Sequence, residues 1–489
     1  MTAPRSLPAV RETAGPAATG ALLPGSDPLA GPVAREPVPR VVLLMLICVV
    51  LAPIELSVRV GPLFLTMSKI FLVIVTFWIL PQLPKLKLHV YDWLMVAHAG
   101  WSALAFMIIY GPGNSIEKSG FYLLEFLVVY LVARIYLKTL GQILGVVNVL
   151  FVMVVLNVIA ALPEALTGKR FVHDIARSFT GIYYPFSNEK RLGIYRSTGF
   201  FEHAILLGVF CSSMLSLIWF TSRPEQRFWK VPLIFLGTFF AASSAPLMVF
   251  VLQVWFIVLE RATRLLKGRL SMIVAIAIVL VLVVENFTGR GIVGIIAMVA
   301  LNPQTTYYRR GQWENGIDDV LRNPMFGFDP PTFTRPDWMT SSIDNYWLLM
   351  MMRSGIPSLV FLFACVLIIW LLLLRRKQAP VAFVQMRNGW GMMMLALALT
   401  GSTVAFFGKL QPLLSFFIAM GAALITAPFP APRDAPAPAA VPAGGGSPYT
   451  RFGPGREPPG RLTRTAVAPR DPAAADAAPA AGQGPPARG

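Results

Sequence analysis

The sequence predicts an all-α polytopic membrane protein, and three observations predict this class. Hydrophobic residues make up 55% of the chain and charged residues only 13%, with a mean hydropathy of +0.63. Nearly uncharged stretches such as 41–56 and 356–374 recur, and each is long enough to cross a bilayer core of about 30 Å as a helix. The alternation of apolar and polar residues that is typical of membrane strands is absent from them. Helices are therefore the way in which these stretches satisfy their backbone groups in lipid.

Both ends of the chain differ in composition from the middle. Residues 1–39 are rich in Pro, Ala and Gly without helical periodicity, and residues 429–489 repeat that composition. Such segments bury too little apolar surface to fold alone, so we expect two disordered tails. Residues 40–428 between them form the transmembrane domain, with about twelve predicted spans. The spans are 41–57, 62–80, 91–110, 120–137, 141–162, 200–220, 229–243, 246–259, 270–286, 356–374, 388–407 and 411–428.

The topology depends on the seventh and eighth spans, which the segment AASSAPL separates but which could also form one long helix. Keeping them separate places most basic loop residues on one side, which is cytoplasmic by the positive-inside rule. Those residues are Lys85, Lys87, Arg134, Lys138, Arg223, Arg227, Lys230, Arg261, Arg264, Lys267, Arg269, Arg375, Arg376 and Lys377. Both tails are then cytoplasmic, and two long loops, about 163–199 and 287–355, lie on the extracytoplasmic side.

These two long loops are rich in arginine, against the trend of the positive-inside rule. Guanidinium groups bind phosphate oxygens in a bidentate manner and stay charged at any relevant pH, so the loops predict a site for an anionic ligand. Anchoring to lipid phosphate, or ion pairing within the loops, is the alternative for any single arginine. The residues are Arg170, Arg177, Arg191 and Arg196 in the first loop, and Arg290, Arg309, Arg310, Arg322, Arg335 and Arg353 in the second.

The later loop also contains short helical patterns. Residues 292–301 are apolar but too short to span, and we expect them to lie in the interface or to re-enter the membrane. The segment YYRRGQWENGIDDVLRNP predicts an amphipathic helix that ends at Asn323-Pro324. Its apolar face is predicted to comprise Trp313, Ile317, Val320 and Leu321. Asp318 and Asp319 are expected on a solvated face.

Several chemistries have no motif in this sequence. There is no HExxH, DxD or paired Cys/His spacing that would hold a metal ion, and no Walker-type glycine loop for ATP. The three cysteines lie in apolar runs and are expected to pack there as small apolar residues. We therefore expect no metal, no nucleotide and no other cofactor, and an enzyme of this composition would use a substrate that is already activated.

Three segments resemble the O-antigen ligase and O-antigen polymerase superfamily. YRSTGFFEHAILLG is similar to the Arg-x-x-Gly-Phe segment that leads into a central helix of that family. TYYRRGQWENGIDDVLRNPMFGFD is similar to a second segment, an Arg followed by Trp, a short helix and Asn-Pro-x-x-Gly. SSIDNYWLLMMMRSGIPSLVF is similar to a third, at which the large outer loop returns to the membrane. The resemblance covers roughly residues 41–428.

The resemblance implies glycan transfer on the extracytoplasmic face of the bacterial inner membrane. Members of the family move an oligosaccharide from an undecaprenyl-diphosphate donor to a hydroxyl acceptor without metal or nucleotide. The leaving diphosphate needs cations as its charge develops, and preorganised arginines can supply them. Carried over by position, the diphosphate ligands are Arg196 together with Arg309 or Arg310. The expected partners are the lipid-linked donor, a polysaccharide acceptor, membrane lipid, and flippase and chain-length regulator proteins, with no nucleic acid.

The third segment departs from the ligase pattern, in which a histidine at this position is proposed to act as the base on the acceptor. This chain has Asp344 and Asn345 instead, which favours a polymerase of exopolysaccharide or O-antigen repeat units. A ligase that joins glycan to lipid A-core or another acceptor remains the alternative. Asp344 either polarises the acceptor hydroxyl or caps the following helix, with Ser341 and Ser342 as rival caps.

The residues at the start of the sixth span have two possible roles each. His203 is either a hydrogen-bonded packing residue or the missing base, since an imidazole titrates in the right range. Glu202 is expected to pair with an arginine, or to orient His203. Further supporting residues of the site are predicted to be Arg191, Trp313, Asn345 and Arg353, and the charged residues Glu55, Lys69 and Glu125 are candidates to face a cavity.

A different class of function fits part of this pattern. A transporter or flippase of lipid-linked sugars would also need arginines and no nucleotide. Such proteins show paired halves with interrupted helices at corresponding places, and this sequence shows no internal repeat. The two large loops on one face favour an enzyme.

Overall fold

The computed structural model describes residues 34–61, 63–186, 188–263, 303–376 and 379–429, which are mostly helical. Seven helical stretches of this part are long and apolar enough to cross a membrane. They are Met67–Lys85, Val90–Tyr110, Pro112–Tyr136, Leu140–Thr167, Ala204–Thr221, Ser244–Ala262 and Tyr346–Arg375, and Arg40–Leu51 and Leu410–Thr426 are shorter apolar helices. The chain is therefore a helical, multi-pass membrane protein. The predicted span 270–286, residues 292–301, and the tail residues 1–33 and 430–489 lie outside the described residues.

The first elements include a short hairpin that the sequence did not predict. The bounds are α1 Arg40–Leu46, β1 Ser57–Val60, β2 Leu63–Thr66, α2 Met67–Ile79 and α3 Val90–Tyr110. Helix α1 continues as a π-helical turn to Leu51, and α2 follows the hairpin directly. The strands are antiparallel, with Ser57 paired to Thr66. The predicted spans 41–57 and 62–80 are therefore too long at this connection, because strand residues as apolar as those of β2 cannot be told from helix by hydropathy alone.

The next part contains the first long loop. The bounds are α4 Pro112–Leu123, α5 Val129–Tyr136, α6 Leu140–Thr167, α7 Phe171–Thr180, β3 Lys190–Arg191 and β4 Ile194–Tyr195. Helix α4 runs through a π-helical segment, Leu124–Val128, into α5, and α6 is the longest helix before the loop. The loop thus holds a ten-residue helix and a two-stranded hairpin, between the end of α6 and the segment that carries Arg196.

The helix that follows this loop lies at the centre of the bundle. The bounds are α8 Ala204–Thr221, α9 Pro224–Phe240 and α10 Ser244–Ala262. Helix α8 packs against α6, α9, α10 and the later helix Val381–Gly401, and most of its residues are buried. Residues 241–243 between α9 and α10 are not helical, and Ala242 has a φ of 42°. The predicted separation of these two helices is therefore confirmed.

The last part begins with the amphipathic helix that the sequence predicted. The bounds are α11 Pro303–Arg322, α12 Tyr346–Arg375, α13 Val381–Gly401 and α14 Leu410–Thr426. Trp313, Ile317 and Val320 pack into a small hydrophobic cluster with the start of α12, and α11 ends before Asn323, as predicted. Two details were wrong: Leu321 is exposed, and Asp319 is buried.

Asp319 is buried because it fastens the loop that follows α11. Its carboxylate accepts hydrogen bonds from the backbone N–H and the hydroxyl of Thr334 at 2.6 and 3.2 Å, and from Arg322 at 2.9 Å. Of the two adjacent aspartates, Asp318 alone lies on the solvated face, since adjacent helical positions point about 100° apart.

A kink in α12 explains the Asn-Pro-x-x-Gly segment. Gly355 has φ 72° and ψ 174° inside the helix, which interrupts the helical hydrogen bonds. The segment 323–328 supplies the missing partners: Ile356 N–H donates to the carbonyl of Pro324 at 2.8 Å, and Phe328 N–H donates to that of Met352 at 2.5 Å. A Cβ atom on Gly355 would overlap the carbonyl group of Met325. Glycine is required there by both its conformation and the close approach.

The described residues of the N-terminal tail correct one prediction. Residues 34–39 were assigned to a disordered tail, yet they pack against α6. Glu36 N–H donates to the carbonyl of Gly141 at 3.1 Å, and the Arg35 guanidinium donates to Asn148 and to the carbonyl of Thr221. Gly141 and Gly145 leave the space that this segment fills. These specific contacts hold a segment whose composition gives no sign of order.

Candidate functional site

A cavity of about 340 Å³ lies at the end of the bundle where α8 begins. Three segments line it: the stretch after α7, the stretch before α8 and the stretch before α14. The lining residues are Tyr184, Pro185, Phe186, Arg196, Thr198, Glu202, His203, Ala204 and Phe407. Arg196, Glu202 and His203, which the sequence singled out, therefore share one cavity.

The segment that carries these residues is fixed to α6. The Glu164 carboxylate accepts hydrogen bonds from the backbone N–H groups of Thr198 and Gly199 at 2.9 and 3.0 Å, and from the Thr198 hydroxyl at 3.0 Å. The side-chain oxygen of Asn157 accepts from Phe200 N–H at 3.2 Å. These polar residues of α6 bind the donors of a non-helical stretch, so α8 begins only at Ala204 rather than at residue 200 as predicted.

Gly199 is the residue that lets this segment pass close to α6. Its φ is +59°, and a Cβ atom there would lie 2.8 Å from the side-chain oxygen of Asn157. Both the positive φ and the crowding exclude other residues without strain. The Arg-x-x-Gly spacing therefore has a physical basis, because the glycine allows the turn that brings Arg196 to the cavity wall.

The Arg196 side chain is 8% exposed and only partly paired. Its Nη1 donates to the Glu189 carboxylate at 3.1 Å, and its Nε donates to the carbonyl of Ala241 at 3.4 Å. Among the described residues, the buried Nη2 has no hydrogen-bond partner. Burial and the charge of Arg191 both lower the Arg196 pKa. The protein thus holds this guanidinium in place, and its buried Nη2 is a hydrogen-bond donor that has no partner among the described residues.

Glu202 places a buried carboxyl group against the same cavity. The residue is 8% exposed, and its Oε2 has no hydrogen-bond partner within the described part of the chain. Burial raises the Glu202 pKa, although the charge of Lys409 opposes that effect. Gly408 leaves room for the carboxyl, since a Cβ atom there would lie 2.8 Å from it. A buried carboxyl group whose pKa is raised is a candidate for proton transfer.

His203 caps α8 with its ring. Nδ1 accepts a hydrogen bond from Ile205 N–H at 3.1 Å, so a neutral imidazole carries its proton on Nε2. Burial, followed by the charge of Arg196, lowers the His203 pKa to about 4. The ring is therefore neutral at physiological pH, and this geometry fits a hydrogen-bond donor at Nε2 better than a general base.

A buried polar cluster lies next to the cavity. The Glu55 carboxylate lies 2.7 Å from Nδ1 of His173, and Nε of Arg170 donates to the Thr198 hydroxyl at 3.1 Å. Lys409 donates to the backbone carbonyls of Val50 and Phe200. Burial lowers the Lys409 pKa to about 8, while the charges of Glu202 and Glu55 oppose this.

Arg309 and Asp344, two predicted site residues of the later loop, are neighbours but are not among the residues that line the cavity. Nε of Arg309 is 3.9 Å from Oδ2 of Asp344, and the Arg309 side chain is 16% exposed. Burial lowers the Arg309 pKa, and the charge of Arg191 acts in the same direction. Arg191 thus lies within electrostatic range of both Arg309 and Arg196. Arg310 is exposed and bonds Glu314 one turn away at 2.7 Å.

The remaining predicted residues have mainly structural positions. Asn345, and not Asp344, is the N-cap of α12: its side-chain oxygen accepts from Leu348 N–H at 3.1 Å. The capping role considered for Asp344, Ser341 and Ser342 was therefore wrong. Trp313 packs into the small cluster at the start of α12. Arg353 is exposed on α12 and does not line the cavity.

Sequence reasoning missed several residues of this site. Tyr184, Phe186 and Phe407 line the cavity, and nothing in their local sequence marks them. Glu164 and His173 received no role, although a carboxylate near the end of an apolar helix is costly enough to suggest one. Of the charged candidates, Glu55 belongs to the polar cluster next to the cavity, and none of Glu55, Lys69 and Glu125 lines the cavity itself. Within the described residues, no group of histidine, cysteine or carboxylate side chains could hold a metal ion.

Another cavity, of about 240 Å³, lies at the opposite end of α8. The guanidinium groups of Arg227 and Arg261 there lie over the ring of Trp219, at 4.9 and 5.5 Å from its centroid. Glu260 also lines this cavity. Its arginines thus stack on an aromatic ring, whereas Arg196 at the larger cavity retains a guanidinium nitrogen that has no hydrogen-bond partner among the described residues. The latter is the better candidate for an anionic ligand.

The chain matches no family model and no curated protein sequence to which it was compared. A functional proposal therefore rests on the residues of this cavity and on the sequence segments that lead to it.

Proposed function

We propose that this protein is a glycosyltransferase of the bacterial inner membrane that polymerises exopolysaccharide or O-antigen repeat units. Its donor would be an oligosaccharide on undecaprenyl diphosphate, and its acceptor a hydroxyl of the next lipid-linked unit on the extracytoplasmic face. The observation that carries the proposal is the cavity that is lined both by a guanidinium with one unpaired nitrogen and by a buried carboxyl. About twelve spans and two extracytoplasmic loops remain part of this proposal.

The arginines would hold the diphosphate of the donor. Arg196 has a buried Nη2 without a hydrogen-bond partner among the described residues, and the charge of Arg191 lowers the pKa of both Arg196 and Arg309. The Glu189 carboxylate already pairs with Arg191 at 3.0 Å and with Arg196 at 3.1 Å, so a diphosphate would replace this carboxylate and add charge-assisted hydrogen bonds to the guanidinium groups. Stabilisation of the leaving group grows as its charge develops, which is the condition for lowering the barrier. Arg310 has no part in this scheme.

The proposed reaction is a single displacement. The acceptor hydroxyl oxygen forms a bond to the anomeric carbon of the donor sugar, and the bond from that carbon to the phosphate oxygen breaks. The electron pair leaves with the lipid diphosphate, and the hydroxyl proton passes to a carboxylate. Glu202 is the carboxylate that lines the cavity, with Asp344 beside Arg309 as the other candidate. His203 would donate from Nε2 to the substrate.

Purified protein in nanodiscs, incubated with lipid-linked repeat units, tests the proposal through the product ladder on a gel. Arg196→Ala and Arg309→Ala are expected to lower the rate of ladder formation about 100-fold or more, as loss of one transition-state donor does elsewhere. Arg310→Ala is the matched control and should retain the ladder. An unchanged ladder in Arg196→Ala would overturn the proposal. Thermal unfolding of each variant checks that it is folded.

The same assay separates the other classes. A ligase would give one transfer to an added acceptor such as lipid A-core and no ladder. A flippase would move the lipid-linked sugar between leaflets without converting it. Comparing the pH dependence of the rate in Glu202→Gln and in Asp344→Asn identifies the proton acceptor. The rate of the parent protein is expected to rise with pH as the base loses its proton, and the variant in which this rise is absent has lost the base.

A further inference from the structure

Helix α7, in the first long loop, has three faces of different chemistry. Its inward face is buried and carries His173 and Ala176. Its outward face carries three large apolar residues at a spacing of four: Phe171, Ile175 and Phe179. Their side chains are 43%, 60% and 80% exposed. A regular stripe of this kind on a ten-residue helix is not scattered surface exposure, because residues four apart share one face.

The third face is polar. Asp174, Arg177 and Ser178 are all exposed, and at 100° per residue they lie between the apolar stripe and the buried face. A helix with a protein face, an apolar face and a charged face is typical of segments that lie in the plane of a membrane interface. A helix surrounded by water would leave the apolar stripe as a costly exposed patch.

The orientation of α7 is fixed by its inward contacts. Nδ1 of His173 lies 2.7 Å from the Glu55 carboxylate, and its Nε2 lies 3.4 Å from the Thr198 hydroxyl. The helix therefore cannot rotate to bury the side chain of Ile175 without breaking the buried contact between His173 and Glu55. The outward direction of the stripe is a fixed property of the fold.

We propose that α7 lies in the membrane interface and inserts Phe171, Ile175 and Phe179 into the lipid. The surface is continuous with that of a span: α6 ends four residues earlier, and its last turns expose apolar side chains as well. Lys169, which is exposed and precedes the stripe, adds a positive charge that suits lipid phosphates. A bilayer matches this combination of apolar continuity and flanking positive charge. The exposed residues of α6 are Ile159, Leu162 and Leu166, at 62%, 45% and 70%.

This placement sets the depth of the candidate site. Thr198 contacts His173 of α7 and also lines the cavity, so the cavity lies at the level of the headgroups. A lipid carrier could then present its diphosphate to Arg196 while its chain stays in the bilayer; this last step rests on the proposed function. The membrane contact of α7 itself does not.

Spin labels on single cysteines test the contact without any activity measurement. All variants are made in the Cys48→Ala protein, in which the two remaining cysteines, Cys211 and Cys365, are buried. The Cys48→Ala protein without an added cysteine, treated with the same spin label, gives the residual signal. Labels at Ile175→Cys and Phe179→Cys are read in liposomes by collision with oxygen, which concentrates in lipid, and with a water-soluble nickel chelate. Ile159→Cys in α6 is the control for lipid exposure, and Asp174→Cys, on the polar face, is the control for water.

We expect labels at positions 175 and 179 to collide several-fold more with oxygen than with the chelate, as the label in α6 does, and the label at 174 to do the reverse. High chelate accessibility at 175 and 179 would mean that the stripe faces water and would overturn the proposal. Low accessibility to both reagents with an immobilised spectrum would mean that protein covers the stripe, and would overturn it equally. Phe179→Trp, with quenching by brominated lipid measured against the parent protein, repeats the test if labelling perturbs the fold.

Discussion

Nε of Arg309 lies 3.9 Å from Oδ2 of Asp344, across the gap between α11 and the start of α12. The distance is too long for a hydrogen bond, and Nε has no hydrogen-bond partner among the described residues. The Asp344 side chain is 49% exposed, so this ion pair contributes little to stability. Two residues that the sequence predicted to take part in the reaction are thus neighbours, but they leave each other's hydrogen-bonding capacity unfilled.

This geometry predicts different outcomes for two adjacent residues. Asp344→Asn should change the free energy of unfolding by less than about 1 kcal/mol, since it removes a partly exposed ion pair. Asn345→Ala should cost about 2 kcal/mol or more, because it removes the N-cap of α12 and the hydrogen bond from the buried Asn345 amide to the carbonyl of Ser402. Asn345→Asp should restore little of that loss, because a carboxylate can cap the helix but cannot donate to that carbonyl. Unfolding in detergent measures all three. Equal destabilisation by Asp344→Asn and Asn345→Ala would contradict the assignment of the cap.

Gly199→Ala is expected to destabilise the protein by about 1–3 kcal/mol, because it combines a strained backbone with a contact to Asn157. The matched control is Gly193→Ala. Gly193 also has a positive φ, of +81°, but a Cβ atom there would meet nothing within 4 Å. The midpoint of thermal unfolding should therefore fall further in Gly199→Ala than in Gly193→Ala. Equal shifts would show that the approach to α6 adds nothing to the backbone strain.

The buried pair of Glu55 and His173 should be strongly coupled. Both side chains are less than 5% exposed, and removing one partner leaves the other buried without compensation, at a cost of about 3–5 kcal/mol. A cycle of Glu55→Ala, His173→Ala and the double variant should therefore give a coupling energy of about 1–3 kcal/mol. The exposed pair Arg310 and Glu314, treated in the same way, should give about 0.5 kcal/mol or less. Additive effects at the buried pair would refute the prediction.

The protonation of His203 predicts a loss of stability in acid. Its pKa is lowered from 6.5 to about 4 by burial and by Arg196, so the unfolded chain binds a proton at a pH at which the folded chain does not. Stability should fall as the pH drops from about 6.5 towards about 4, by at most about 1.4 kcal/mol per pH unit. His203→Asn keeps an acceptor for the cap of α8 but does not titrate. Its unfolding midpoint should fall less between pH 7 and pH 5 than that of the parent protein, and parallel pH profiles would count against this role of His203.

Hydropathy and helical periodicity were sufficient to predict those elements whose position depends mainly on the burial of apolar side chains or on the distribution of charge. The apolar face of α11 and its end at Asn323 follow from a period of 3.6, and the break between α9 and α10 follows from charge asymmetry along the chain. Leu321 is exposed although its spacing fits the face, because the neighbouring elements cover only part of that face. Sequence position alone does not reveal which part is covered.

The features that remained hidden depend on contacts between distant segments. The kink at Gly355 requires the backbone of 323–328, and the non-helical start of α8 requires polar side chains on α6. Neither partner has a fixed spacing to the residue that it holds. Arg196 was selected through its arginine-rich loop and its sequence segment, and Glu202 and His203 through their position at the start of an apolar run; all of these are local properties of the sequence. The aromatic residues that line the cavity carry no such local mark.

The fixed backbone around Arg196 has an entropic consequence. Ordering a long side chain on binding typically costs about 0.5–1.5 kcal/mol, and ordering a loop costs more for each residue. Here Ser197 N–H donates to the carbonyl of Phe240 at 2.9 Å, and the next residues donate to α6, so the loop is ordered before any ligand arrives. The loop would therefore lose little further conformational freedom when an anion binds at Arg196. Little of the free energy of that contact would be offset by the ordering of the loop.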